Sequence, residues 1–323
     1  MKNQIKNAAK IAASEKALYA CAFAKVDSKS ITVNNLSLEY SFLHDIKEVK
    51  GEGTIEMKAL KQVHEKLKTI DLMYFESGKA FLVSGNTKLS FESIPLEDLP
   101  KFDTGEWQSI GKIELNEDFE KAKKFVGNDD IRPYFKAVYF DTAMMAATDA
   151  HAMFYKNHGI NLSESFLMPP DAFFAKGEQE VSVLGNYIKM EQGGEKITFR
   201  KMDEKYPDIT QVIPKTNENI FSCNLKELKE AIEVMFLTTN TTTNRIDIFE
   251  GTISSEDIDL GKSGKTSINT TVIKGKMPQI IVNGKMLLKG LNALEGKTVE
   301  ISQNAPSRAI ILNDNILIMP LMK

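Results

Sequence analysis

The sequence predicts an α+β protein of three similar domains in tandem, each with two helices packed on antiparallel sheet. Three observations predict it. Stretches with apolar residues at helical spacing alternate with stretches in which apolar and polar residues alternate one by one. The helical stretches return twice, each time after about 110 residues. Turn formers cluster near Thr104-Gly105 and from Pro214 to Asn219, which sets the domains at about 1–105, 106–216 and 217–323.

Six helices are expected, at about 4–14, 57–70, 114–127, 168–176, 224–238 and 284–295. Ile5, Ala8 and Ala12 form a weak first stripe, and Leu60, Val63 and Leu67 the second. Leu115, Phe119, Ala122 and Val126 form the third. Leu225, Leu228, Ile232 and Met235 form another, and Leu287, Leu291 and Leu294 the last. The segment at 168–176 opens with Pro169-Pro170 and should amount to little more than a turn. Between helices the period falls to two, as in Ser30-Ile31-Thr32-Val33, Ala80-Phe81-Leu82-Val83 and Ala309-Ile310-Ile311-Leu312. Glu76-Ser77-Gly78, Ser84-Gly85-Asn86 and Asn313-Asp314-Asn315 punctuate these strands.

Composition narrows the function classes. The 323 residues are 42% hydrophobic and 26% charged, enough for several cores. The longest apolar runs fall far short of the roughly 20 residues a membrane helix needs. Met1 to Lys16 carries lysines but no apolar run of the secretory type, so the chain reads as cytoplasmic. Cys21 and Cys223 sit among apolar, strand-like neighbours, which favours two buried thiols over a disulfide or a metal pair. The net charge of −3 is unlike that of a sequence-reading DNA-binding domain, which is usually basic. Any contact with DNA must therefore come from a local lysine surface.

Such a surface is present on the helices, opposite the apolar stripes. It comprises Lys6 and Lys10, then Lys58, Lys61 and Lys68, then Lys121 and Lys124, then Lys226, and finally Lys285 and Lys289. Taken alone these lysines fit a solvated helix face, which they share with Glu65, Glu117, Glu120 and Glu230. Their recurrence at matching positions of a repeated domain makes a DNA-facing role an equally good reading. A lysine on a flexible stem attracts phosphate without reading bases.

Several patterns are decoys. Gly261-Lys262-Ser263-Gly264-Lys265-Thr266-Ser267 looks like a phosphate-binding loop, but Asp259 stands where the first glycine is required. The β-branched run from Ile268 to Ile273 offers no helix N-terminus to a phosphate, so a loop is expected at 261–267. His44, His64, His151 and His158 have no metal-ligand spacing. Asp149 and His151 could suggest acid–base work, but no convincing nucleophile stands near them in sequence. Neither a cofactor, a metal nor catalysis is expected.

With these readings in place, the order of motifs becomes recognisable. Leu82-Val83-Ser84-Gly85 through Phe91 to Ile94-Pro95, then Asp98-Leu99-Pro100, is one segment. Arg132-Pro133-Tyr134-Phe135, Val138-Tyr139-Phe140 and Ala147-Thr148-Asp149-Ala150-His151 come after it. Met202-Asp203-Glu204-Lys205-Tyr206-Pro207-Asp208 is next, then Asn283 to Leu294, and last Ile318-Met319-Pro320. In this order and spacing the chain resembles the beta sliding clamp of bacterial DNA polymerase III, in register over nearly its whole length.

The resemblance implies a DNA-clamp fold, with a head-to-tail homodimer of three-domain subunits closing a ring around duplex DNA. It implies a processivity factor in DNA replication that tethers the polymerase and clamp-loader subunits through short peptides. The matching pocket positions are Phe135, Thr148, His151, Met153, Pro207, Val212, Leu317, Met319 and Pro320, with Leu321 just beyond. Apolar residues with methionine among them suit a groove that accepts varied peptides. The subunit-interface positions are Leu89 and Phe91, with Phe236 and Leu237 near the other half. The chain also departs from the family. It is shorter and begins almost at its first helix; Ala150 and Ala152 stand for a usual Gly and Arg, and Gln211 for an Arg. Two other readings stay open. One is a clamp-like interaction protein that no longer encircles DNA. The other is an enzyme acting on nucleic acid or nucleotide, for which turnover dependent on metal or nucleotide would be the sign.

Overall fold

The computed structural model describes residues 1–14, 18–67, 69–102, 105–158, 162–172, 176–202 and 204–322. The first third runs α1 (Lys2–Ser14), β1 (Phe23–Val26), β2 (Ser30–Asn34), β3 (Leu38–Leu43), β4 (Glu48–Lys50), β5 (Gly53–Glu56), α2 (Met57–Lys66), β6 (Leu72–Glu76), β7 (Lys79–Ser84) and β8 (Thr87–Glu92). The middle third runs β9 (Gln108–Leu115), α3 (Glu117–Lys123), β10 (Val138–Phe140), β11 (Met144–Thr148), β12 (Ala152–Asn157), β13 (Phe166–Met168), β14 (Gly177–Leu184), β15 (Tyr187–Gln192) and β16 (Glu195–Arg200). The last third runs β17 (Ile220–Asn224), α4 (Leu225–Met235), β18 (Arg245–Phe249), β19 (Thr252–Asp257), β20 (Lys262–Ser267), β21 (Thr270–Lys274), β22 (Ile280–Asn283), α5 (Gly284–Asn292), β23 (Thr298–Ser302), β24 (Ile310–Leu312) and β25 (Ile316–Ile318).

The helical stripes are the buried faces. Ile5, Ala8 and Ala12 of α1, Leu60 and Val63 of α2, and Leu225, Leu228, Ile232 and Met235 of α4 are all buried. Four helices stop short of their expected ends: α4 at Met235 and α5 at Asn292, and α2 and α3 by more. Leu67 is already extended after α2, and its N–H caps the helix by donating to Val63 O. β9 runs through Leu115, so α3 starts only at Glu117. Beyond it, Gly127 packs so closely that a Cβ would stand 3.2 Å from Asp149 Cα. Phe125, not Val126, is the side chain buried there. At 168–176, where little more than a turn is expected, β13 ends at Met168 and a turn follows at Pro170-Asp171, with 173–175 outside the described residues.

α4 and α5 begin in the same way. Each follows a strand directly, and the last strand residue is an asparagine that caps the helix. Asn224 Oδ1 accepts from the N–H groups of Lys226 (2.9 Å) and Glu227 (3.1 Å). Asn283 Oδ1 accepts from those of Lys285 (3.0 Å) and Met286 (3.3 Å). These bonds satisfy donors that a helix start leaves unpaired.

The chain forms two compact units, residues 1–116 with 160–202 and residues 117–159 with 203–323. In the first unit an antiparallel sheet runs β5-β1-β2-β3-β16-β15-β14-β9. A second sheet runs β4-β6-β7-β8, with β8 as an open edge. α1 and α2 pack together, and Tyr40, Phe42, Ile31 and Phe199 fill the core. In the second unit one sheet runs β10-β11-β12-β25-β24-β23-β17-β21, and another β20-β19-β18-β22. α4 packs on α5, and α3 on β11 and β12.

The segment at 261–267, expected as a loop, is the edge strand β20. It pairs with β19 without a break, from Thr252↔Ser267 to Asp257↔Lys262. Gly261 takes the left-handed φ of +62° that the preceding turn needs, and Gly264 lies where a Cβ would meet Thr238 Oγ1 at 2.4 Å. The glycines serve a turn and a close approach to the end of α4. Cys21 and Cys223 are buried and outside any disulfide, and burial pushes the Cys223 thiol up to about 12.

Candidate functional site

The predicted pocket residues all fall in the second unit, where strand register brings the central ones together. Thr148 of β11 pairs with Met153 of β12, and Met153 pairs with Leu317 of β25. Paired residues in a sheet share a face, so these three side chains stand in a row. All three are buried and form the floor of the site. The chain then leaves β25 tied on both sides. Met319 N–H donates to His151 O (2.8 Å), and Leu321 N–H donates to Ile281 O (2.9 Å). Pro320 bridges Val282. Met319 is 39% exposed above the floor, with His151 and Pro207 also exposed.

The remaining pocket residues come from two short helical turns. Phe135 lies in the turn Pro133–Lys136, and the Arg132 guanidinium stands 4.8 Å over its ring. Asp208 caps the turn Ile209–Gln211 by accepting from Thr210 N–H. Just before it, Tyr206 is buried and stacks on Tyr139 at 4.4 Å, which anchors Pro207. Val212 is 46% exposed and lines a polar cavity of about 240 Å³ with Gln211, Gln303 and Arg308. The structure thus brings Thr148, His151, Met153, Leu317 and Met319 together directly, and places Val212 at a polar cavity that none of them lines.

Reasoning from sequence missed the device that shapes this site. The turn between β11 and β12 carries His151, and Ala150 within it has a left-handed φ of +73°, unfavourable for a residue with a Cβ. Thr148 Oγ1 accepts from Ala150 N–H (3.0 Å) and donates to Ala152 O (2.8 Å). Asp149 Oδ1 accepts from the N–H groups of His151 (2.9 Å) and Ala152 (2.8 Å), and Oδ2 accepts from Lys289 Nζ (2.5 Å). The one available signal was Ala150 itself, standing where the resembling family has glycine.

Burial alone would raise the Asp149 carboxyl; the hydrogen bond from Lys289, the Ala152 N–H, the lysine charge and the His151 N–H outweigh it and hold the carboxyl below its ordinary value. A depressed carboxyl contributes stability above its unfolded pKa of about 3.9, and that stability is lost as pH falls through the lower folded value. Asp149→Asn is therefore expected to flatten the acid limb of stability below about pH 4, read by urea unfolding at stepped pH. An acid limb identical to the parent's contradicts this.

The predicted DNA-facing lysines divide by their surroundings. In the first unit Lys6, Lys10 and Lys58 are exposed and Lys61 half-buried; Lys68 lies outside the described residues. In the second unit Lys124, Lys226 and Lys285 are exposed. Lys226 lies 3.7 Å from Glu230. Lys121 is held between Asp118 (4.0 Å) and Glu295 (3.8 Å). Lys289 is engaged by Asp149. Half-buried ion pairs of this kind leave less charge for phosphate than the exposed lysines do.

The predicted interface residues lie at open strand edges or near them. Leu89 and Phe91 of β8 pair with the buried Leu82 and Ala80 of β7, yet both stay half-exposed because no strand flanks β8. In the second unit Leu237 is 75% exposed just beyond α4, which packs against the edge strand β20. Phe236 is half-buried, its ring near Gly284. Among the described residues, no helix is long and apolar enough to cross a membrane. No group of three His, Cys, Asp or Glu side chains among them could hold a metal ion.

Comparison with known proteins places these features. No family model matches the chain. A beta sliding clamp from Synechocystis sp. is 21% identical over 338 residues, covering 88% of this chain and 86% of its own. A DNA polymerase sliding clamp from Pseudomonas aeruginosa superposes with a TM-score of 0.81 at 18% identity, covering 100% of this chain and 97% of that one. A structure of the DNA polymerase III subunit beta from the same organism, bound to griselimycin, gives a TM-score of 0.82 at 16% identity over 100% of this chain and 97% of that one. The resemblance read from the motifs holds on both counts: this chain is similar in sequence to bacterial beta sliding clamps, and it has their fold.

Proposed function

We propose that this protein is a DNA sliding clamp, a non-catalytic processivity factor for DNA replication in the cytoplasm. Two copies close head to tail into a ring around duplex DNA, each with three domains at about 1–105, 106–216 and 217–323. The observation that carries this reading is the clamp fold over 100% of the chain. The buried row Thr148, Met153 and Leu317 under the exposed Met319 supports a groove for short peptides of a polymerase and its loader. The open edges β8 and β20 support pairing between copies, since an unpaired edge with apolar neighbours is a hazard in a lone subunit. The exposed lysines Lys6, Lys10, Lys58, Lys124, Lys226 and Lys285 supply weak attraction to phosphate, independent of base sequence. Light scattering tests the assembly. The expected mass is twice the 36.2 kDa of the chain; a single chain mass at micromolar concentration contradicts it.

A further inference from the structure

We infer that Lys289 is a positioning residue for the partner pocket and not a contact to DNA: through Asp149 it holds the turn that presents His151. The inference rests on the proposed peptide groove. Lys285 and Lys289 stand one turn apart on α5, but they are not equivalent. Lys285 is exposed. The Lys289 side chain is only 26% exposed and ends 2.5 Å from Asp149 Oδ2, with its ammonium 5.4 Å from the centre of the Phe125 ring.

Asp149 is the joint. One carboxylate oxygen closes the turn by accepting from the N–H groups of His151 and Ala152; the other is tied to α5. The turn contains Ala150 in a conformation that a residue with a Cβ adopts only when its surroundings enforce it. The turn leads directly into the pocket. His151 O accepts from Met319 N–H, and Met153 pairs with Leu317. A displacement of Asp149 therefore moves His151 and releases Met319, with no change at either pocket side chain.

The chain from α5 to the pocket is thus Lys289, Asp149, His151 and Met319. Its far end is fixed independently. Gly290, next to Lys289, lies so close to the sheet that a Cβ would stand 2.9 Å from Leu312 Cδ1 and 3.0 Å from Ile318 Cδ1. α5 thus lies directly on β24 and β25, with Leu287 and Leu291 buried beneath it, and Lys289 acts from a packed base.

The test takes griselimycin, the ligand of a solved neighbour, as the probe of the proposed groove and measures its affinity for the full-length protein by calorimetry, together with the salt dependence of the protein's residence on circular duplex DNA. Lys289→Met should weaken griselimycin about tenfold, and Lys289→Arg, which keeps charge and donors, should restore affinity to within about threefold. Asp149→Asn should weaken it similarly, and the double variant should be no worse than the poorer single one, because both remove the same tie. Lys285→Met should leave griselimycin binding unchanged and lower the salt slope by about one, whereas Lys289→Met should leave the slope unchanged. Wild-type griselimycin affinity in Lys289→Met, additive losses in the double variant, or a lowered salt slope in Lys289→Met each overturn the inference. If the parent does not bind griselimycin, or Met319→Asp binds it undiminished, the pocket reading fails as well.

Discussion

Replacing Phe91 with lysine is expected to convert a particle of twice the chain mass into single chains at micromolar concentration. Phe91 lies on the open edge strand β8 beside the buried Ala80. It is half-exposed there only because nothing flanks the strand. If two copies pair head to tail, Phe91 is buried twice over in the ring, once at each junction. Losing a buried aromatic costs about 2 kcal/mol and stranding an ammonium costs at least about 1 more. Over two junctions the total is about 6 kcal/mol, or roughly four powers of ten in dissociation constant. The fold of the single chain should survive, since charged residues on edge strands are well tolerated. Sedimentation velocity reads the result. An unchanged dimer would place the junction elsewhere, on edges that do not include β8.

The second large effect is expected at Met319. If the proposed groove takes griselimycin, the ligand of the solved Pseudomonas aeruginosa neighbour, Met319→Asp should weaken it by about a hundredfold or more while leaving the unfolding midpoint nearly unchanged. The asymmetry follows from its position. Met319 is 39% exposed, so an aspartate there stays hydrated in the free protein. Its structural role runs through the backbone, whose N–H donates to His151 O, and the substitution keeps that bond. A bound apolar ligand would bury the side chain against Met153 and Leu317, adding about 2 kcal/mol of lost apolar contact to about 1–3 kcal/mol for the uncompensated charge. Equal affinity in the two proteins would mean that the row Thr148, Met153 and Leu317 is ordinary core.

Much of this architecture is legible in the sequence, for definite reasons. The helices are legible because their apolar stripes are long and regular, as in Leu225, Leu228, Ile232 and Met235. Strands such as β2 and β3 are legible because one face is wet and the other buried, which writes a period of two. The edge strand β20 was not, because its residues are Gly, Ser, Thr and Lys with no apolar face to alternate; only its pairing with β19 defines it. α3 was legible as a helix but not in its bounds. It starts late because β9 runs through Leu115, and beyond its end Gly127 packs against Asp149, a contact between segments that no local pattern encodes.

The site shows the same division. Its apolar members are found by resemblance, and the register of β11, β12 and β25 then places three of them in a row. The polar tie of Lys289 to Asp149 is different. The helical wheel puts Lys289 on the same face as Lys285, and composition alone cannot say which lysine finds a carboxylate 140 positions away in the chain. Periodicity reports what a side chain leaves behind in solvent or core, but not which partner it meets.

The most direct test of threading is residence on DNA of two topologies. The protein is loaded by its cognate loader onto a nicked circular duplex, passed through a sizing column, and the circle is then cut once. A ring held by threading stays on the closed circle through the column at about 0.15 M salt, where exposed lysines alone hold weakly. It is lost within minutes of linearisation, as it slides off the new ends. Equal residence on circle and line would contradict threading and leave only electrostatic adhesion, and no residence on either would leave a clamp-shaped protein that does not encircle DNA.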